Sequence, residues 1–185
     1  MIKEFLDETK RSIDSIDYIA IDEIIGILNE LRELRGRLFI VGSGGSAGNA
    51  SHAVADFRKL CEIEAYSFDN ISELTARVND DGWDNSTTEW LDASNFINTD
   101  CLFVLSVGGG MPGVSGNLVN AIKFAAESRA KIIGIVGNNK CALTEYAHAS
   151  VVIPTKQWKT PIVEGLQTVL LHLIVTRLQI NTPVW

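Results

Sequence analysis

"RLFIVGSGGSAGNASHAVADFRKL", residues 37–60, opens as a strand and passes at once into small residues. Arg37 leads into Leu38, Phe39, Ile40 and Val41, and Gly42, Ser43, Gly44, Gly45, Ser46, Ala47 and Gly48 follow. A buried strand that runs through a glycine-serine loop into a helix brings backbone N–H groups and the helix's positive end to one point. That is how a fold holds an anion.

The same pattern recurs outward from this unit. CLFVLSV (101–107) and KIIGIVG (131–137) are near-continuous apolar strands, and EAYSF (64–68) and SVVIP (150–154) are shorter ones. Helical periodicity fills the spaces between them, over residues 46–62, 114–130, 141–149 and 160–180, with Pro161 in the first turn of the last. Residues 71–95 read as two helices broken at Asp81-Gly82. Residues 3–36 carry isoleucines and leucines at helical spacing, and Asp17 or Asp22 is placed to cap a second helix within that stretch. Apolar strands separated by helices predict an α/β fold of three layers, α/β/α, around a central parallel sheet with right-handed crossovers. Ligands in such sheets bind beyond the carboxyl ends of the strands.

Composition sets the outer bounds. At 185 residues the chain predicts one domain, residues 1–185. A net charge of −7 argues against nucleic acid as a partner, since phosphate backbones demand clustered Lys and Arg. Trp83, Trp90, Trp158 and Trp185 do not interleave with basic residues, so no base-stacking surface is expected. No apolar run reaches the ~20 residues of a membrane span, and the acidic, polar start lacks a signal-peptide pattern. Cys61, Cys101 and Cys141 are scattered and suit a reducing, cytoplasmic setting.

Three strand ends bear on chemistry. In the first, Gly42, Gly44, Gly45 and Gly48 can be forced towards a dinucleotide fingerprint, but no acidic residue stands at the end of the next strand to hold a ribose. Ser43 and Ser46 favour a monophosphate instead. The second, SVGGGMPGVSGN (106–117), adds Ser106 and Ser115. The third, VGNNKCALTEY (136–146), reads as an ordinary turn with Thr144 exposed.

Strand-GxGGSA-helix, strand-LSxGG…SGN-helix and KIIGIVG together resemble the sugar isomerase (SIS) domain, and within it the phosphoheptose isomerases. The resemblance spans essentially the whole chain. It implies the SIS-type, flavodoxin-like topology, an N-terminal helical segment (1–36) used in oligomer packing, and a homotetramer with sites shared between chains. It also implies interconversion of sedoheptulose 7-phosphate and D-glycero-D-manno-heptose 7-phosphate through an enediol. In the family, the helix after GGSA carries a histidine and a glutamate four residues on; here these are His52 and Asp56. The closing helix carries a glutamine and a histidine eight residues on; here these are Glu164 and His172. The resemblance implies that all four ligate zinc, with Asp56 as general base and His172 as its partner. A spacing of four shares one helix face, and a spacing of eight rotates by only about 80°. It further implies that Ser43, Gly44, Gly45, Ser46, Ser106 and Ser115 hold the sugar phosphate, and that Asn79 and Asp80 in VNDDGW contact the sugar.

Blander readings stand beside these. His172 within VLLHLIV also suits a hydrogen-bonded core histidine, Asp56 a surface carboxylate, and VNDDGW a capped turn. His148 lacks a partner at useful spacing and reads as structural. The chain departs from the family in its shorter Asp56, its charged Glu164 and a longer second loop poorer in hydroxyls, which leaves room for a different phosphosugar. A non-catalytic SIS-fold adapter that binds a protein partner is the rival function, and the acid-base cluster favours the enzyme.

Overall fold

Alternation along the apolar strands gives one sheet two buried faces. A computed structural model of the chain describes residues 1–111, 113–157 and 159–179; Trp158, Trp185 and the end of the closing helical pattern at residue 180 lie outside them. Five parallel strands, β1 (Arg37–Gly42), β2 (Glu64–Ser67), β3 (Cys101–Ser106), β4 (Lys131–Val136) and β5 (Ala149–Val152), stand in the order β2-β1-β3-β4-β5. This is the flavodoxin-like order, with its crevice where the order reverses between β1 and β3.

Leu38, Ile40, Phe103, Leu105, Ile133 and Ile135 face one layer, formed by α2 (Tyr18–Glu33), α3 (Gly45–Leu60) and α8 (Lys159–Leu178). Phe39, Val41, Leu102, Val104 and Ile132 face the other, formed by α5 (Trp83–Ala93), α6 (Gly116–Glu127) and α7 (Ala142–Tyr146). Each large side chain so buried contributes about 1.5–3 kcal/mol. Gly134 is required where α7 crosses β4: a Cβ there would strike the Leu143 side chain and the Val104 carbonyl.

The N-terminal segment is two helices, α1 (Ile2–Asp14) and α2, and the break is capped by Asp17, whose carboxylate accepts the Ile19 N–H at 2.9 Å. Ser12 donates to the Pro154 carbonyl at 2.7 Å and the Lys156 N–H donates to Glu8 at 2.6 Å, which docks α1 beyond β5. That N–H bond, with Arg11 beside it, holds the Glu8 carboxyl below the usual range. Across the sheet's lower edge, Arg37 grips the buried Asp100 in a bidentate pair, Nε–Oδ1 3.0 Å and Nη2–Oδ2 2.7 Å. The Asp100 partner is the main cause that raises Arg37 above its ordinary value.

α8 is long and apolar enough by length and composition to cross a bilayer, although Lys159, Glu164, Gln167 and Arg177 interrupt its apolar run. Half of that stretch is buried inside the protein, where Val163, Leu170, Ile174 and Val175 pack on the sheet, as a core helix requires. Cys61 and Cys101 are buried free thiols; burial pushes Cys61 up to about 11 and Cys101 higher still, so neither is a ready nucleophile.

Candidate active site

α3 and α8 run side by side in the same direction, and their facing stripes repeat every three or four residues. Gly45 meets Glu164, Asn49 meets Thr168, and His52 meets His172. Polar groups hold this register. Buried Ser46 donates to Gln167 Oε1 at 2.8 Å, Gln167 donates to the Ile135 carbonyl at 3.1 Å, and Asn49 donates to the Glu164 carbonyl at 2.9 Å. Asn49 and Gln167 were not singled out by sequence reasoning, because nothing local marks a helix-helix clamp whose halves lie more than a hundred residues apart.

Two turns along this seam, His52, Asp56 and His172 converge. His52 Nε2 lies 3.1 Å from His172 Nε2, and Asp56 Oδ2 lies 3.4 Å from the first and 3.6 Å from the second. A tetrahedral zinc with donors about 2.0–2.1 Å away sets them about 3.3–3.4 Å apart, so this triangle has the edge lengths of three ligands with a fourth position open. Among the described residues these three form the group able to hold a metal. They open into a pocket of about 460 Å³ walled by Leu60, Val175 and Thr176. The His52 and His172 side chains are 57% and 53% exposed, so a ligand from outside this chain can reach them.

Glu164 is not in that group. Its carboxylate lies against Gly45, in the space a Cβ would fill, at the first residue of α3. The spacing of eight to His172 turns the two residues about 80° apart and separates them by about 12 Å along the helix axis. Gly45 has no side chain to turn the carboxylate away.

The two loops flank the reversal in strand order. Gly44 takes a left-handed φ of 62°, which lets β1 turn directly into α3. Ser43 is half-buried in the turn, whereas the Ser46 hydroxyl points into the core and is committed to Gln167, so Ser46 has only its backbone N–H to offer an anion. In the second loop the Ser106 hydroxyl accepts the Gly109 N–H at 2.9 Å, leaving its own proton to donate. Ser115 stands at the N-cap of α6 with no cap bond from its side chain. The carboxylate of Asp84 lies against Gly116, the first residue of α6, as that of Glu164 lies against Gly45.

Asn79 and Asp80 fall in the last turn of α4 (Ile71–Asp81), exposed, with Asn79 donating to Asp80 Oδ1 at 2.7 Å. VNDDGW is thus the end of α4, and Gly82 (φ 79°) caps it and joins it to α5. Thr144, expected to be exposed in an ordinary turn, is half-buried and caps α7 by accepting the Cys141 N–H. His148 accepts the Ile132 N–H at 3.1 Å, which ties β4 to the segment before β5; desolvation, with Lys131 nearby, lowers its imidazole below the ordinary value. Asp69 corrects the reading of the first loop. An acidic residue does stand just past β2, where it accepts from Ser51 at 2.6 Å and from Ser67 at 2.9 Å.

No family model matches the chain. It is 30% identical over 152 residues to the phosphoheptose isomerase of Bradyrhizobium sp., a match covering 79% of this chain and 73% of that protein. It is 25% identical over 181 residues to the phosphoheptose isomerase of Helicobacter pylori, covering 93% and 90%. The solved structure of phosphoheptose isomerase GmhA from Neisseria gonorrhoeae superposes with a TM-score of 0.84 over 96% of both chains at 20% identity, a likeness of fold.

Proposed function

The chain belongs to the phosphoheptose isomerase family, and from that premise we propose that it interconverts sedoheptulose 7-phosphate and D-glycero-D-manno-heptose 7-phosphate. The observation that carries the reading is the convergence of His52, Asp56 and His172 from two helices beside the glycine-serine loop. Converting ketose to aldose moves one proton from C1 to C2 and another from O1 to O2 through the enediol. Asp56, a carboxylate within reach of the open pocket, takes the carbon-bound proton and returns it to the neighbouring carbon. His172 passes the proton between the two oxygens. His52, Asp56 and His172 are the residues that would hold zinc, which when bound supplies Lewis acidity towards the substrate's carbonyl oxygen.

The phosphate is held by N–H groups of Ser43, Gly44, Gly45 and Ser46 and by the hydroxyls of Ser43, Ser106 and Ser115, with Asn79 and Asp80 near the sugar. The working form is a cytoplasmic homotetramer in which neighbouring chains cover the exposed cluster. The experiment is the Asp56→Asn variant, assayed with sedoheptulose 7-phosphate. An amide cannot accept the proton, so turnover is lost while the unfolding midpoint is kept. Turnover at the parent rate places the base elsewhere and overturns the reading.

A further inference from the structure

On the opposite side of the glycine loop from α8, a pocket of about 120 Å³ sits over the ends of β1 and β2, walled by Ser43, Gly44, Asp69, Trp83, Thr87 and Asn117. Asn117, the second residue of α6, is 4% exposed. Its amide nitrogen donates to the hydroxyl of Thr87, itself 2% exposed, at 3.1 Å. Its carbonyl oxygen Oδ1 is buried and has no hydrogen-bond partner among the described residues. A buried acceptor left unpaired is disfavoured in folding, and Asn117 is one of the residues that line the pocket.

The surroundings choose the donor's class. No Lys or Arg lines the pocket. Asp69 does, from the end of the strand next to a glycine-rich turn, where dinucleotide-binding folds place a carboxylate to read sugar hydroxyls. The Asp84 carboxylate lies on Gly116, the residue before Asn117. One carboxylate in the lining, Asp69, and no positive charge favour neutral hydroxyls at the inner end of the pocket. The volume equals that of about four waters; it admits the hydroxylated part of an open sugar chain and excludes a nucleotide. Trp83, 46% exposed, offers an apolar ring at the mouth.

We propose that Asn117 is a specificity residue: Oδ1 accepts a hydrogen bond from a hydroxyl of the phosphosugar's carbon chain, and Thr87 positions the amide for it. This rests on the phosphosugar reading above and adds which part of the substrate enters this pocket. The test is calorimetric titration of the parent protein, Asn117→Ala and Thr87→Val, each with sedoheptulose 7-phosphate and, separately, with inorganic phosphate. Asn117→Ala is expected to raise the Kd for the sugar phosphate about five- to tenfold, as loss of one buried hydrogen bond does, and to leave the Kd for inorganic phosphate within about twofold. Thr87→Val is expected to give a smaller loss with the same selectivity, and it decides the matter if Asn117→Ala fails to fold. Equal weakening of both ligands overturns the proposal by showing that the amide reads phosphate through its N–H. Unchanged binding of both shows that the amide is structural. A parent protein that binds inorganic phosphate but no sugar phosphate defeats the phosphosugar reading itself, and this proposal with it.

Discussion

Glu164 and Gly45 touch across the α3–α8 seam, so a carboxylate faces the first turn of the helix whose N–H groups would hold a phosphate. A negative charge at a helix N-terminus is worth about 0.3–1 kcal/mol to the folded chain, and it repels a second anion at the same place. Glu164→Gln is therefore expected to tighten inorganic phosphate binding about two- to fivefold. Because Glu164 lies outside the His52–Asp56–His172 triangle, zinc affinity in the same variant should change less than about threefold, against the tenfold or more per 1.4 kcal/mol that a lost ligand gives. Titration with zinc and with phosphate separates the two effects. A large loss of zinc affinity would return Glu164 to the ligand set.

His172→Ala removes one corner of the triangle and should cost zinc affinity by at least about a hundredfold, or roughly 2.7 kcal/mol. The imidazoles and the carboxylate must be unprotonated to ligate, so binding in the parent protein should weaken as pH falls and release protons as metal is taken up. Calorimetry at pH 8 and pH 5.5, in buffers of different ionisation heat, reads both. Zinc uptake without proton release at the lower pH, or a His172→Ala variant of parent affinity, contradicts the three-residue site.

The fold was legible because its strands are buried on both faces and so read as unbroken apolar runs, Leu38–Val41 and Cys101–Leu105 among them. His52 and Asp56 were legible for a simpler reason: a spacing of four within one helix fixes both angle and rise. Glu164 was not, since the angular argument took no account of the 12 Å or so that eight residues climb. Ser46 was misread because a small polar residue in a glycine loop gives no sign of which way its hydroxyl turns; buried Gln167, from the far end of the chain, decides it. Asp69 was legible, since it directly follows EAYSF and stands two residues past the end of β2 at Ser67.

The Arg37–Asp100 pair should prove structural. Asp100 is 1% exposed and also accepts the N–H groups of Arg37 and Ile97, while the guanidinium donates to the Ser94 and Asn95 carbonyls. Removing the cation leaves that carboxylate buried and partly unpaired. Arg37→Ala should therefore lower unfolding free energy by about 3–5 kcal/mol, measured by urea denaturation, with zinc stoichiometry unchanged in the folded fraction. A loss below about 1 kcal/mol would class the pair with exposed surface bridges.

Apolar side chains lie open on the outer surface of the helical layers. Ile2, Leu6, Ile13 and Ile19 on α1 and α2 are 77%, 53%, 48% and 67% exposed, and Val169 and Leu173 flank His172 on the outer face of α8. Apolar side chains in such numbers are poorly placed in water, and single-chain burial leaves His52 and His172 half open as well. Self-association answers both, since chains packed through α1 and α2 would remove the apolar surface and bring walls around the cluster. Sedimentation equilibrium at micromolar concentration should give four times the 20.2 kDa chain mass. Leu6→Glu, which puts a charge on the exposed face of α1 without touching the sheet, should shift that mass downward and raise KM more than it lowers the unfolding midpoint. A stable monomer with full isomerase activity would show that each site is complete within one chain and that the exposed isoleucines serve some other contact.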